Sequence, residues 1–350
     1  MTQIVDSKGA LIAHLKTDSP LSALVGTRIY GDELPREDAD SMPRKAVVLT
    51  LSDMRLASSQ TVTLVAKRSE AEVPLDDPSA KVWKRANPVE VPLSAQNLVP
   101  PKAGGDRTMT ARALHDDQRL YILLEWDDDS EDTLVSRQTE FSDAAAVQFP
   151  VTPGETVPAF CMGDPNAPVN IWQWKAAWQT DIEQGFVEVE DAYPYAHVDL
   201  YPFEDEEVFY PARAVGNVFA QADRTTPVDN LLAGSFGTLT QAPDQIVKGV
   251  GEWHDGRWRV LYARDLAVDG DYTQFAEDDS TDVAFAVWDG SSGERDGMKS
   301  VSQFLTLEVS PELAGDGGAG VTPWIIVLVV LGATAMFLLL ALYGRQRKRG

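Results

Sequence analysis

A methionine, two lysines and a run of tryptophans are the residues of this chain best suited to hold a ligand. Met162 lies in Pro158–Trp178, PAFCMGDPNAPVNIWQWKAAW, between the single cysteine, Cys161, and a Gly-Asp-Pro turn. A thioether there is held by turn geometry rather than by a periodic apolar run, which points to a ligand pocket; the plain alternative is a gap-filling core side chain. Met109 and Met298 are the other methionines of the central region, and both lie outside such a turn. Trp172, Trp174 and Trp178, with Trp253, Trp258 and Trp288, have the shape to wall a flat ligand, although strand alternation sends only one face inward. Lysine is scarce: the chain has 11, and between Lys102 and Lys299 only Lys175 and Lys248. The plain reading of either is a surface amine whose stem covers apolar area.

Other chemistries are excluded or weak. One cysteine rules out an internal disulfide, Cys-x-x-Cys-His haem attachment, a zinc ribbon and a cysteine-ligated iron–sulfur cluster. No Gly-x-Ser-x-Gly, P-loop or dinucleotide fingerprint is present, and no catalytic constellation stands out, so the chain reads as non-catalytic. The acidic run Glu125–Asp132, EWDDDSED, offers oxygens for a hard cation such as Ca²⁺, but it lacks the spacing of a calcium loop and reads as a solvated turn. His115, His197 and His254 sit in Asp-rich or Tyr-rich contexts that also read as solvated.

The elements that must position these residues are short strands. TVTLVAK, RLYILLEW, AAAVQFP, VNIWQW, RWRVLYARDL, DVAFAVWD and SQFLTLEV are rich in β-forming residues and separated by turn residues. His254-Asp255-Gly256-Arg257, between Val250–Trp253 and Trp258–Leu261, is a hairpin signal. Pro88, Pro92, Pro100 and Pro101 mark an extended lead-in, and no fixed-period repeat is visible. The fold class expected is mainly β: an antiparallel β-sandwich ectodomain with a single C-terminal transmembrane helix and a small α+β N-terminal extension. The boundaries expected are 1–56 for the extension, 57–310 for the sandwich, 311–322 for a Gly-rich linker, 323–344 for the membrane helix and 345–350 for a basic tail.

Trp324–Tyr343 is a run of mostly apolar residues without a charge, long enough at about 1.5 Å per residue to cross a hydrocarbon core of about 30 Å. Arg345, Arg347, Lys348 and Arg349 follow it, so the C-terminus is expected to be cytoplasmic and the large domain extracellular. Export is at odds with the first 56 residues, which have no apolar stretch behind a basic start; Ala57-Ser58-Ser59 reads as the end of a lost leader, with the mature domain starting near Gln60. Within 8–50, KGALIAHLKTDSPLSALVGTRIYGDELP and the strand-like KAVVLTLS resemble small tail-completion proteins of tailed viruses. The net charge of -24, spread along the chain, suits solubility at very high salt, hence a halophilic source, and argues against nucleic acid as a partner.

Several motifs in order, from about Thr61 to Leu307, carry a longer resemblance: RALHDDQRLYILLEWDDDSEDT, FSDAAAVQFP, the Met162 segment, VKGVGEWHDGRWRVLYARDL and FAVWDGSSGERDGMKSVSQF. In these the chain resembles the haem-binding gamma subunits of ethylbenzene dehydrogenase and its dimethyl sulfoxide reductase type relatives. The resemblance implies one haem b with a methionine sulfur and a neutral lysine amine as axial ligands. It maps the sulfur to Met162 and the amine to Lys248, with Lys175 next and a histidine as a further option. It further suggests Trp172 and Trp174 as pocket walls, and Arg257, Arg259 and Arg264 as propionate partners. It implies an electron-transfer role between a quinol-side donor at the membrane and a molybdenum catalytic subunit with an iron–sulfur subunit. The alternative class is a surface-anchored β-sandwich module binding carbohydrate or protein through exposed tryptophans.

Overall fold

The computed structural model describes residues 2–5, 11–15, 62–96, 104–153, 162–195, 211–235 and 237–315. The expected membrane helix and basic tail, Cys161, His197 and most of the first 56 residues lie outside the described residues. Among the described residues no helix is long and apolar enough to cross a membrane. What is described of the N-terminal extension is an antiparallel pair, β1 (Thr2–Val5) and β2 (Leu11–Leu15).

The rest is a two-layered β structure. The front layer comprises β3 (Thr63–Arg68), β5 (Arg107–His115), β6 (Arg119–Asp127), β11 (Lys248–Trp253), β12 (Arg257–Asp265) and β15 (Leu305–Leu313). The back layer comprises β7 (Ala144–Pro150), β8 (Val169–Lys175), β9 (Val228–Ala233), β10 (Thr240–Gln241) and β14 (Ser300–Val301). Two strands serve both layers. In β13 (Ser280–Trp288), Ser280–Val283 pair with β15 and Ala284–Trp288 pair with β7. In β4 (Val89–Ala95), Val89–Leu93 pair with β5 while Ser94 and Ala95 pair with β14. Strands that switch layers turn the corners of the sandwich, so one hydrogen-bonded sheet of 13 strands folds over on itself.

The expectation of an antiparallel sandwich needs one correction: the sheet is mixed. β3 runs parallel to both β15 and β5. Strand periodicity specifies burial but not direction, so the sequence pattern could not report this. The hairpin at His254 forms as its residues predict: the backbone N–H of His254 donates to the Arg257 carbonyl at 2.9 Å, and the reverse bond is 3.2 Å. Asp255 and Gly256 take φ of 51° and 76°, the left-handed pair that a type I′ turn requires.

The space between the layers is filled by aromatic rings. Trp174 meets Trp258 edge-on at 4.9 Å between centroids, Trp258 stacks on Trp126 at 6.3 Å, and Phe149 lies 4.8 Å from Trp172 and 5.1 Å from Phe275. Each such ring buries some 150–250 Å², about 4–6 kcal/mol of transfer free energy before entropy is counted. The packing is tight enough to dictate glycine on β11: a Cβ at Gly251 would collide with the Trp174 ring, and one at Gly249 would press on Val228 and the Leu261 carbonyl.

Candidate functional site

Strand alternation sorts the predicted site residues into three places. On β8, Asn170, Trp172 and Trp174 face the aromatic core, while Val169, Ile171, Gln173 and Lys175 face outward. Both tryptophans are fully buried between the layers. They therefore stabilise the sandwich instead of lining an open pocket.

The outer side of the back layer carries the second group. Its apolar floor is built largely of small residues: Ala144 and Ala146 from β7, Ala233 from β9 and Ala286 from β13, with Val169, Ile171, Leu231 and Trp288. Met162 packs against this floor. Its φ of 75° is a left-handed backbone that a methionine rarely adopts. The turn holds it there, because Asp164 and Ala167 bond each other's backbone at 3.2 and 3.0 Å and the Asp164 carboxylate accepts from Asn166 and Ala167. Gly163 is required as well: a Cβ there would strike the Ala167 carbonyl, with Val169 and the Ala233 carbonyl close by.

Lys175 pairs with Ala144 across β7 and β8 and so shares this outer face with Met162. The Met162 turn lies beside the Val169 end of β8, where Gly163 abuts Val169, and Lys175 ends the strand, about 20 Å away at roughly 3.3 Å per residue. The Lys175 ammonium donates to Asp229 at 2.8 Å and lies 3.8 Å from the centroid of the Trp178 ring. Trp178 comes from α1 (Ala176–Gln184), and its other cationic neighbour is Arg224, 4.5 Å from the same ring and bonded to Asp181 at 2.7 Å. Burial pulls the Lys175 amine down to about 8; Asp229 opposes the fall and Arg224 adds to it.

The third group lies on the outer side of the front layer. Lys248 pairs with Ala263, and its neighbour Val250 with Leu261, both members of the apolar cluster on that side with Trp83, Leu114 and Tyr121. Lys248 is exposed, and its amine has no partner among the described residues. Arg257 and Arg259 share this side and pair with carboxylates: Arg259 with Glu125 at 3.0 Å, Arg257 with Asp127 at 3.7 Å. Arg264 is buried instead, its guanidinium 5.1 Å from Trp172 and 4.7 Å from Phe275 and donating to the Thr273 carbonyl. The structure thus does not bring Lys248, Arg257 and Arg259 to Met162.

Two further expectations change. His115 is buried, not solvated, with Nε2 bonded to the Ser310 carbonyl at 2.8 Å and Nδ1 receiving the Asp117 N–H at 3.4 Å, so that both ring nitrogens have partners. Of the described tryptophans only Trp253 is not buried, so they do not form the exposed platform that a carbohydrate module would need. A separate cleft of about 460 Å³, lined by Arg137, Ala192, Tyr193, Pro194 and Tyr195, holds none of the predicted residues. The Lys175–Asp229–Trp178 arrangement was legible only through lysine scarcity; its partner carboxylate comes from β9 and carries no local signal.

Comparison with known proteins supports the family resemblance. A family model described as ethylbenzene dehydrogenase matches residues 80–300. A provisionally named respiratory nitrate reductase heme subunit, ORF7, of Haloferax mediterranei is 29% identical over 71% of this chain and 76% of its own length. The dimethylsulfide dehydrogenase subunit gamma of Rhodovulum sulfidophilum is 26% identical over 78% of this chain and 91% of its own length. The chlorate reductase subunit gamma of Ideonella dechloratans is 27% identical over 64% and 75%. Among solved structures, a family 9 carbohydrate binding module of Caldicellulosiruptor kristjanssonii in complex with glucose covers 74% of this chain and 100% of its own at a TM-score of 0.37 and 9% identity, too loose a superposition to carry an argument.

Proposed function

We propose, since the chain belongs to the ethylbenzene dehydrogenase family, that it is a non-catalytic gamma-type subunit that holds a haem b and relays single electrons. Its donor is a quinol-side component at the membrane. Its acceptors are an iron–sulfur subunit and a molybdenum catalytic subunit, in a complex that reduces nitrate, dimethyl sulfoxide or a related oxyanion, or oxidises a hydrocarbon, with nitrate reduction as the first choice. The names of the relatives, a nitrate reductase heme subunit and two gamma subunits, support this reading. Membrane attachment rests on the apolar span Trp324–Tyr343, with the domain outside and the C-terminus in the cytoplasm.

The observation that carries the proposal is Met162: a residue with φ of 75°, fixed by its turn, that lays a thioether on an alanine-rich apolar floor. A face of alanine and other apolar side chains is chemically compatible with the apolar ring of a macrocycle, although each of these residues is buried. A bound haem would supply one-electron chemistry there, and a thioether ligand favours its reduced state. The family resemblance also implies a lysine nitrogen ligand, which can serve only as the neutral amine, since an ammonium has no lone pair to give. Two lysines compete for that role. Lys175 shares the face of Met162 but lies about 20 Å away along the strand; burial moves its amine toward neutrality, and Asp229 holds it as a cation. Lys248 matches the family motif and its amine has no partner among the described residues, but it stands on the other side of both layers. Haemin reconstitution of Met162→Ala beside the wild type tests the assignment, with the loss of a low-spin six-coordinate spectrum as the expected result.

A further inference from the structure

Three strand ends meet at one edge of the sandwich and bring together carboxylates far apart in sequence. Asp128 follows β6 in the front layer, while Asp143 precedes β7 and Asp289 follows β13 in the back layer. One oxygen from each lies within 4.8 Å of the others. Asp128 is 7% exposed and Asp143 fully buried, and Glu294, 2% exposed, adds a fourth acid by accepting the Asp289 backbone N–H at 2.9 Å.

Compensation for these charges is uneven. Arg107 forms ion pairs with Asp289 at 2.9 Å and Glu294 at 3.1 Å, and with neither of the other two. Asp289 also receives Ser291 and Ser292, and Asp143 receives the N–H groups of Gly290, Asp132 and the Trp258 indole. Among the described residues Asp128 has one weak donor, the Ser130 N–H at 3.3 Å on Oδ1, and its buried Oδ2 has no hydrogen-bond partner. The Trp126 indole N–H is near enough to favour the charged carboxylate, yet it too lacks a bond of ordinary geometry. Four mostly buried acids against one guanidinium, with a buried carboxylate oxygen left over, is a costly arrangement unless a positive charge completes it.

We propose that Asp128, Asp143 and Asp289 bind a hard divalent cation of the calcium class, which clamps the front layer to the back layer at this edge. The donors are all oxygen, which selects a hard cation over zinc or copper, and calcium, with ligands at about 2.3–2.6 Å, tolerates irregular carboxylate cages better than magnesium. The rival occupant is a proton, because burial raises Asp143 to about 7 and Asp128 to about 6. The acidic run around Asp128 that reads as a solvated turn is thus partly buried, and the partners it needs come from two other strands.

The test uses the full chain stripped with a chelator in high KCl, where surface acids bind weakly. Terbium is added, and its emission is read under indole excitation, since Trp258 donates to Asp143 at 3.0 Å. Sensitised emission that calcium competes away, and a melting temperature that calcium raises, are expected. Asp128→Asn should abolish both responses while leaving the chelated protein at least as stable as chelated wild type, because it removes the uncompensated charge. Emission that survives Asp128→Asn, or wild-type melting indifferent to calcium, overturns the proposal. Should that variant not fold, calorimetric titration of stripped wild type with calcium decides: one site is expected, and none overturns it.

Discussion

Met162 and Lys248 stand on opposite outer sides of the sandwich, with two hydrogen-bonded layers and their tryptophan packing between them. The nitrogen ligand is therefore open to direct test. In haem-loaded protein, one of Lys175→Ala and Lys248→Ala is expected to lose the low-spin spectrum along with Met162→Ala, and the other to keep it. Loss in Lys175→Ala would mean that the roughly 20 Å between Lys175 and the Met162 turn closes when haem binds. Loss in Lys248→Ala follows from the motif, and it would mean that the Met162 turn or the β11 edge moves when haem binds. Unchanged spectra in both variants would remove lysine from the ligand set.

The backbone of Met162 offers a stability measurement independent of any cofactor. A left-handed conformation costs a non-glycine residue about 1–2 kcal/mol, and glycine escapes that cost. Haem-free Met162→Gly should therefore exceed haem-free Met162→Ala in stability by about 1 kcal/mol in denaturant unfolding, although both lack the thioether. Equal stabilities would show that the turn does not impose the strain.

Lys175 and Asp229 form a buried pair, with side-chain exposures of 12% and 4%. Removing one member leaves the other uncompensated, and such losses run to about 3–5 kcal/mol. Lys175→Met is expected to destabilise the fold by roughly 3 kcal/mol, moderated by the Gln241 amide that also bonds Asp229. Adding Asp229→Leu should recover much of that loss. A loss under about 0.5 kcal/mol in the single variant would place the ammonium in solvent.

With 54 acidic residues against 30 basic ones, self-repulsion opposes the compact state until salt screens it. The melting temperature should rise as KCl is raised from low to molar concentration. A flat or falling profile would contradict the halophilic reading.

How far the sequence could be read follows from what each signal encodes. The strands at RLYILLEW, VNIWQW and RWRVLYARDL, and the turn at Asp255-Gly256, declare themselves because period-two burial and left-handed turn residues are local properties. The parallel placement of β3 and the layer switching of β13 and β4 were hidden, because both are set by chain direction in space. For the site, lysine scarcity singled out Lys175 and Lys248 but could not say which outer face each occupies. That depends on strand register, where a shift of one residue exchanges the faces. Trp172 and Trp174 looked like ligand walls because an indole facing a core and one facing a pocket have the same pattern. The Asp128 cluster was half visible: its own run stood out as acidic, but Asp143 and Asp289 join it only through folding.

The relay proposal comes down to the Met162 sulfur. Haemin titrated into wild-type protein should bind one-to-one and give a low-spin, six-coordinate absorption spectrum whose Soret band sharpens on dithionite reduction. In Met162→Ala the reduced protein should turn high-spin, and its midpoint potential should fall. Wild-type protein that takes up no haemin, or a Met162→Ala spectrum indistinguishable from wild type, would contradict it.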